Sequence, residues 1–203
     1  AKNCDERDGA DVVCANVLFG AGGRNPITDS LPGVVVVRLA DLPGAEALLS
    51  LLDEEAFTQR CGRQAALDRL CELLLIRLLR HCMDQGITQG GALAGLADAR
   101  LSKALLALHA HPERAWPLET MASLAGMSRA RFAHHFRVVL GQTPADYLAS
   151  WRMSVAQGLL RAGRPLKHVA MDVGYGSTNA FARVFERKVG QLPSVWLKQH
   201  AQP

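Results

Sequence analysis

The sequence predicts a mainly α chain with two tandem helix-turn-helix modules joined by a long helix and preceded by a helical pair. Two observations carry this expectation: an internal repeat, and the glycine and serine punctuation inside each copy. Phe132, Ala133, Phe136, Gly141, Gln142, Pro144 and Leu148 recur as Phe181, Ala182, Phe185, Gly190, Gln191, Pro193 and Leu197, every pair 49 residues apart. Two copies at one fixed offset mark a duplicated small module and not a solenoid.

Each copy follows one plan. Pro117 suits the opening of a short helix carrying Leu118, Met121, Ala122, Leu124 and Ala125. Gly126 breaks it, and Ser128 is a good N-cap for a second helix over 129–140. Phe132, Phe136 and Leu140 lie on one stripe of that helix, and Gly141 stops it. The second copy runs from Leu166 to Val173, turns at Gly174-Tyr175-Gly176 and restarts behind Ser177. Its second helix carries Phe181, Phe185 and Val189 and stops at Gly190. A short helix, a glycine-containing turn and a second helix give the helix-turn-helix outline.

Residues 144–162 connect the modules. Thr143 caps this helix, Pro144 occupies its first position, and Asp146 favours its dipole. A helix of about 18 residues spans roughly 27 Å, close to the ~34 Å of one DNA turn. A stiff connector of that length suits two recognition helices in successive major grooves. Leu148, Trp151, Val155 and Leu159 are expected to bury it against both modules.

Charge agrees with this plan. Residues 99–203 hold 14 Lys/Arg against 5 Asp/Glu, whereas residues 1–98 hold 9 against 14. The overall +4 therefore conceals a basic C-terminal half, the electrostatic footprint of nucleic-acid binding. A basic surface alone would as readily be a solvated face. Its coincidence with the duplicated module favours DNA.

These residues carry a family resemblance. Gly126-Met127-Ser128, Phe132, His134, Phe136 and Arg137, followed by Gly141, Pro144, Tyr147-Leu148 and Trp151-Arg152-Met153, resemble the AraC-type bacterial transcription regulators. Val173-Gly174-Tyr175, Ser177, Phe181, Arg183, Phe185, Gly190 and Pro193 match the most specific motif of that family. With the segment upstream, the chain resembles the branch that has a cupin-type sensor and includes a reactive-chlorine-responsive activator. The resemblance implies double-stranded promoter DNA as partner, RNA polymerase as a further one, activation, and a homodimer. It also implies a small-molecule or oxidant effector.

The resemblance divides the chain as follows. Residues 1–84 would be the C-terminal part of a cupin-like sensor with dimerisation helices, 85–98 a linker, and 99–203 the DNA-binding domain. Within that domain the modules cover about 99–143 and 163–203, with the connecting helix at 144–162. Residues 11–19 alternate as a strand does, and Val34 to Leu39 is a second strand candidate. In the cupin branch these would be a fragment of a β-barrel sensor whose earlier strands precede residue 1.

From Gly44 the pattern turns helical. Leu48, Leu49, Leu51, Leu52 and Ala56 imply one helix, and Gln64 to Cys82 a longer one. Leu67, Leu70, Cys71, Leu74, Leu78 and Leu79 face inward on the longer helix. Such a broad apolar face suits either burial within one domain or pairing between two copies, and the resemblance assigns Leu67, Leu70, Leu74 and Leu78 to dimerisation. Asp84 to Gly95, with four glycines and no periodicity, reads as interdomain linker. Ala99 to His111 is the next helix, carrying Leu101, Leu105 and Leu108.

Several function classes lack their residues. No Gly-x-Ser-x-Gly or Walker loop is present, and Gly174-Tyr175-Gly176-Ser177 lacks the phosphate-binding lysine, so neither enzyme nor cofactor is expected. His109-x-His111 lacks further ligands at metal spacing and suits a helix end, so no metal is expected. No apolar run reaches the roughly 18 residues of a membrane span, and no signal peptide is visible at the acidic start. Five cysteines, an odd number without a framework, fit the reducing cytoplasm. Cys14 is the candidate for a redox role, weighed against that of a small buried hydrophobe.

The outward positions of the first recognition helix are Arg129, Ala130, Arg131, Ala133, His134 and Arg137. The family motif places Ala130, Ala133 and His134 against bases. The family commonly has Arg where His134 stands, and a neutral His reads a base edge more weakly than a bidentate Arg. On the second helix Thr178, Asn179, Ala182 and Arg183 face outward. Asn179 suits adenine N6/N7 and Arg183 guanine O6/N7, an intramodule salt bridge being the alternative for Arg183. Ser128 and Ser177 cap their helices and are placed to offer the helix N-termini to phosphates. The rival to a DNA-binding regulator is a helical protein-interaction adaptor that binds no DNA.

Overall fold

Ten α-helices make up most of residues 27–200, the part that the computed structural model describes. They are α1 Ala45–Phe57, α2 Arg63–Asp84, α3 Gly91–Ala97, α4 Leu101–Ala110, α5 Leu118–Leu124, α6 Arg129–Leu140, α7 Pro144–Arg161, α8 Leu166–Asp172, α9 Thr178–Val189 and α10 Pro193–His200. The mainly helical expectation holds, and the repeat defines its register. The described residues divide into a smaller unit, 37–80, and a larger one formed by 27–36 and 81–200.

In the smaller unit α1 buries Ala45, Leu48 and Leu52. Arg63 donates from Nε to the carbonyl of Glu55 at 2.8 Å and from Nη2 to that of Ala56 at 2.6 Å. It thereby satisfies carbonyls that the end of α1 leaves without intrahelical partners. Arg77 similarly donates to the carbonyl of Pro43. Along α2, Leu67, Leu70, Leu74 and Leu78 are half-buried, while Leu73 and Ile76 remain 42% and 44% exposed.

Two expectations from this region are corrected. Val34 to Leu39 forms no strand: the segment has no regular structure up to Arg38, and Leu39–Asp41 is a 3-10 turn. Val34 and Val36 are 79% and 87% exposed. β-propensity makes a strand only where a neighbouring strand completes the ladder, and no strand occurs among the described residues. The β-barrel fragment is therefore not seen there, and the other strand candidate, 11–19, lies outside the described residues, as does Cys14.

The second correction concerns the glycine-rich stretch 85–98. It contains α3, with Ala92, Leu93 and Gly95 buried. A Cβ on Gly95 would lie 2.7 Å from Leu105 Cδ1 and 2.9 Å from Leu140 Cδ1. Glycine here permits close approach to α4 and α6 and is no sign of flexibility. The first turn of α3 receives a distant cap, because the Leu93 amide donates to Ser30 Oγ at 3.3 Å. The Gln89 amide donates to the Ser30 carbonyl at 2.9 Å, and Ser30 is wholly buried.

The larger unit holds two apolar clusters. The first gathers Leu101, Leu105 and Leu108 of α4, Met121 of α5, Phe132, Phe136 and Leu140 of α6, and Tyr147 and Leu148 of α7. The second gathers Met153, Ala156 and Leu160 of α7, Val169 of α8, Phe181 and Phe185 of α9, and Trp196 of α10. The connecting helix thus serves both clusters. Its buried positions are Pro144, Tyr147, Leu148, Met153, Ala156, Gln157 and Leu160, while Trp151, Val155 and Leu159 are partly covered. The expected stripe of four-residue steps names only Leu148 among the buried set, because the buried face changes as the helix passes between clusters.

His109 of the expected His-x-His pair turns inward. Its Nε2 shares a 2.7 Å hydrogen bond with the Tyr147 hydroxyl, and its ring centroid lies 4.0 Å from that of Trp151. Burial lowers its pKa to about 4, and burial also raises that of Tyr147. The folded value lies below the ordinary ~6.5, so this contribution is complete above ~6.5 and is lost as pH falls towards 4. Thermal melts from pH 7 to pH 4.5 are expected to show a steeper loss in the wild type than in His109→Phe. Parallel curves would contradict this assignment.

Candidate nucleic-acid interface

The two recognition helices are built alike down to individual hydrogen bonds. Gly126 and Gly174 adopt positive φ, at 63° and 79°. Their amides donate to the carbonyls of Ser123 and Met171, at 3.0 and 2.9 Å. The following amides, of Met127 and Tyr175, donate to Ala122 and Ala170 at 2.9 and 2.8 Å. Each pair closes the first helix of a module by the Schellman arrangement. Ser128 Oγ then accepts from the Arg131 amide at 3.4 Å, and Ser177 Oγ from the Ala180 amide at 3.2 Å. Gly141 and Gly190 end the recognition helices in the left-handed conformation.

The buried stripes are equally similar. Phe132 and Phe136 stand 5.5 Å apart with an interplanar angle of 52°, and Phe181 and Phe185 repeat both values. Phe136 meets Tyr147 edge-on at 5.6 Å, as Phe185 meets Trp196 at 6.0 Å. Tyr147 and Trp196 are themselves 49 residues apart. With the same stripe buried in each, the two helices turn corresponding faces to solvent.

On α6, Arg129, Ala130, Arg131, His134 and Arg137 are exposed and Ala133 is half-buried. On α9, Asn179 and Arg183 are exposed, and Thr178 and Ala182 are half-buried. Arg183 makes no ion pair among the described residues. Arg129 does make one, to Glu119 of α5 at 2.5 Å. The Glu119 carboxyl is held below its ordinary pKa by its own backbone amide and then by Arg129. Both side chains are exposed, so solvent screens the pair and Glu119 holds Arg129 only weakly.

Contacts from neighbouring segments hold the two helices in place. His135 of α6 meets Asp98 at 2.7 Å, while Asp98 Oδ1 accepts from the amides of Arg100 and Leu101, both at 2.9 Å. Burial pushes the Asp98 pKa up, but the two amides and His135 outweigh it and hold the carboxyl below its ordinary value. Lys188 of α9 reaches both the carbonyl and the carboxylate of Asp146 on α7, at 3.4 Å each. These partners were not legible in the sequence, nor was the packing of the motif residue Tyr147 against Phe136 and His109, although the 49-residue offset that pairs Tyr147 with Trp196 pointed to it. Helix α10, which begins at Pro193 as α7 begins at Pro144, was legible in the same way.

Two helix-turn-helix units that share a connecting helix define the paired class of such domains. A family profile described as a helix-turn-helix domain matches residues 121–199, and one described as a cupin matches residues 1–84. The chain belongs to the AraC-type transcription regulators. It is 34% identical over 201 residues to a putative AraC-like transcription regulator of Streptomyces lividans, covering 97% of this chain and 66% of that protein. It is 31% identical over 187 residues to the RCS-specific HTH-type transcriptional activator RclR of Escherichia coli, covering 90% of this chain and 66% of RclR. The chain therefore spans about two thirds of the length of these relatives. The fold resembles that of the C-terminal domain of AraT, a response regulator from Geobacillus stearothermophilus, with a TM-score of 0.50 and 21% identity over 52% of this chain and 89% of that one. No helix among the described residues is long and apolar enough to cross a membrane.

Proposed function

We propose that this chain is a sequence-specific regulator of transcription, an activator, that inserts α6 and α9 into successive major grooves of promoter DNA. The observation that carries this reading is the matched pair of recognition helices, with the same caps, the same buried stripe and corresponding faces left open. In this reading Ala130, Ala133 and His134, and Thr178, Asn179, Ala182 and Arg183, face bases. Arg129, Arg131 and Arg137, together with the capped N-termini at Ser128 and Ser177, engage phosphates. The basic balance of residues 99–203 supports it.

The domain division at 1–84, 85–98 and 99–203 belongs to the same reading, with α3 as a structured part of the connecting region. The apolar face of α2, through Leu67, Leu70, Leu74 and Leu78, pairs two copies into a homodimer. A dimer mass in sedimentation supports that, and a monomer mass at micromolar concentration removes it. The likeness to the RCS-specific activator RclR supports an oxidant or small-molecule effector, and RNA polymerase contact and a cytoplasmic location belong to the same reading.

Selection of duplexes from a random library at near-physiological salt tests the reading. Enrichment of two boxes about one helical turn apart is the expected result. Weak binding without enrichment and without steep salt dependence would instead favour the adaptor. On the selected site Arg183→Ala should lose roughly 1–3 kcal/mol and relax one base position. An equal loss on every sequence would assign Arg183 to the backbone.

A further inference from the structure

We propose that Arg152 is a positioning residue that locks the two modules together and thereby fixes the spacing of the DNA boxes the protein accepts. The inference rests on the paired-reader function above. Arg152 lies on α7 where packing passes from one cluster to the other: Leu148 belongs to the first, and Met153 to the second. Its Nε donates to the carbonyl of Pro112 and its Nη2 to that of Arg114, both at 2.8 Å. Those carbonyls lie in the loop before α5, which belongs to the first module.

The same guanidinium reaches the second module. Its central carbon lies 5.4 Å from the ring centroid of Tyr175, in the turn between α8 and α9. A Cβ on the neighbouring Gly174 would stand 2.6 Å from Arg152 Nη2 and 2.6 Å from the Glu113 carbonyl oxygen. One side chain therefore joins the loop of one reader to the turn of the other, beside the helix that links them. A helix alone joins the modules at one line and leaves torsion about it comparatively soft. The guanidinium adds an off-axis brace, planar and forked, that resists that torsion. Lys188 on Asp146 is a second tie, longer and more exposed.

The consequence for DNA is geometric. Adding one base pair between the boxes moves the second by ~3.4 Å along the axis and turns it by ~34°. Readers held at fixed orientation cannot follow such a change without losing contacts or distorting the duplex. Readers on a loosened joint can.

The test uses the full chain and duplexes carrying both selected boxes, with the spacer shortened or lengthened by one base pair. Single-box duplexes serve as controls. The wild type should discriminate between spacers by about ten-fold or more, the scale of a mismatch within a site. Arg152→Lys keeps the charge but offers no fork, and should reduce that preference to about two-fold while single-box binding stays within about two-fold. Tyr175→Leu removes the cation–π contact while keeping apolar bulk, and should flatten the spacer profile in the same direction. It decides the matter should Arg152→Lys not fold. A uniform loss across spacers, with the preference unchanged, would make Arg152 a local brace and overturn the proposal. A wild type that selects no two-box site would instead defeat the paired-reader function, and the lock with it.

Discussion

Phe185→Ala is expected to destabilise the protein by about 3–5 kcal/mol, the range for truncating a fully buried phenylalanine. The side chain is completely enclosed, touching Phe181 at 5.5 Å and the edge of Trp196 at 6.0 Å between ring centroids. Removing it leaves a cavity that helices fixed by glycine stops and serine caps are poorly able to close. Against a typical total stability of about 5–15 kcal/mol this is a large loss. The damage should concentrate in the second module, because α8, α9 and α10 share one cluster with only the later part of α7. Hydrogen exchange should therefore quicken in 166–200 more than in 101–140. Phe136→Ala is the mirror experiment, expected to quicken 101–140 instead. A urea-derived loss below about 1 kcal/mol for either variant would show that the stripe is not packed as described.

Gly174→Ala is the other large effect, and Gly126→Ala supplies its internal reference. Both glycines hold positive φ at the same place in the repeat, so each alanine incurs about 1–2 kcal/mol of left-handed strain. They differ in what the new methyl meets. At Gly126 nothing lies within 4 Å, whereas at Gly174 both Arg152 Nη2 and the Glu113 carbonyl lie at 2.6 Å. The overlap adds about 1–3 kcal/mol of overpacking, because the backbone carbonyl cannot swing aside. Thermal or urea unfolding of the two variants should separate by that increment. Equal losses would mean that the loop 112–114 yields freely and that the contact there is loose.

The repeat was legible because each of its signals is local. Serine caps, glycine stops and phenylalanines at steps of four act within one helix, and α5, α6, α8 and α9 fall where those signals put them. Features that depend on distant residues were not legible. Gly95 carries the same letter in a flexible linker and in a tight helix crossing, and only Leu105 and Leu140 decide between them. Val34 to Val37 has the composition of a strand, but composition does not supply a neighbour. Arg152 stands in a recognisable motif, yet its partners lie 38 and 40 residues earlier, beyond the reach of periodicity. For the interface, the sequence indicated which face of each recognition helix is open, and the structure exposes Arg183 on it without an ion pair among the described residues.

Ser30 gives the larger unit a boundary that does not follow the order of the chain. A helix whose first-turn amide is satisfied by a residue more than sixty positions earlier is not complete in any fragment that starts just before it. Cutting the gene between the cupin-matched region and the two helix-turn-helix modules would leave Leu93 without its acceptor and uncover the N-terminal end of α3. The smallest independent piece that carries both helix-turn-helix modules then begins either before residue 30 or after α3, and a start between the two yields a frayed end in place of a clean domain.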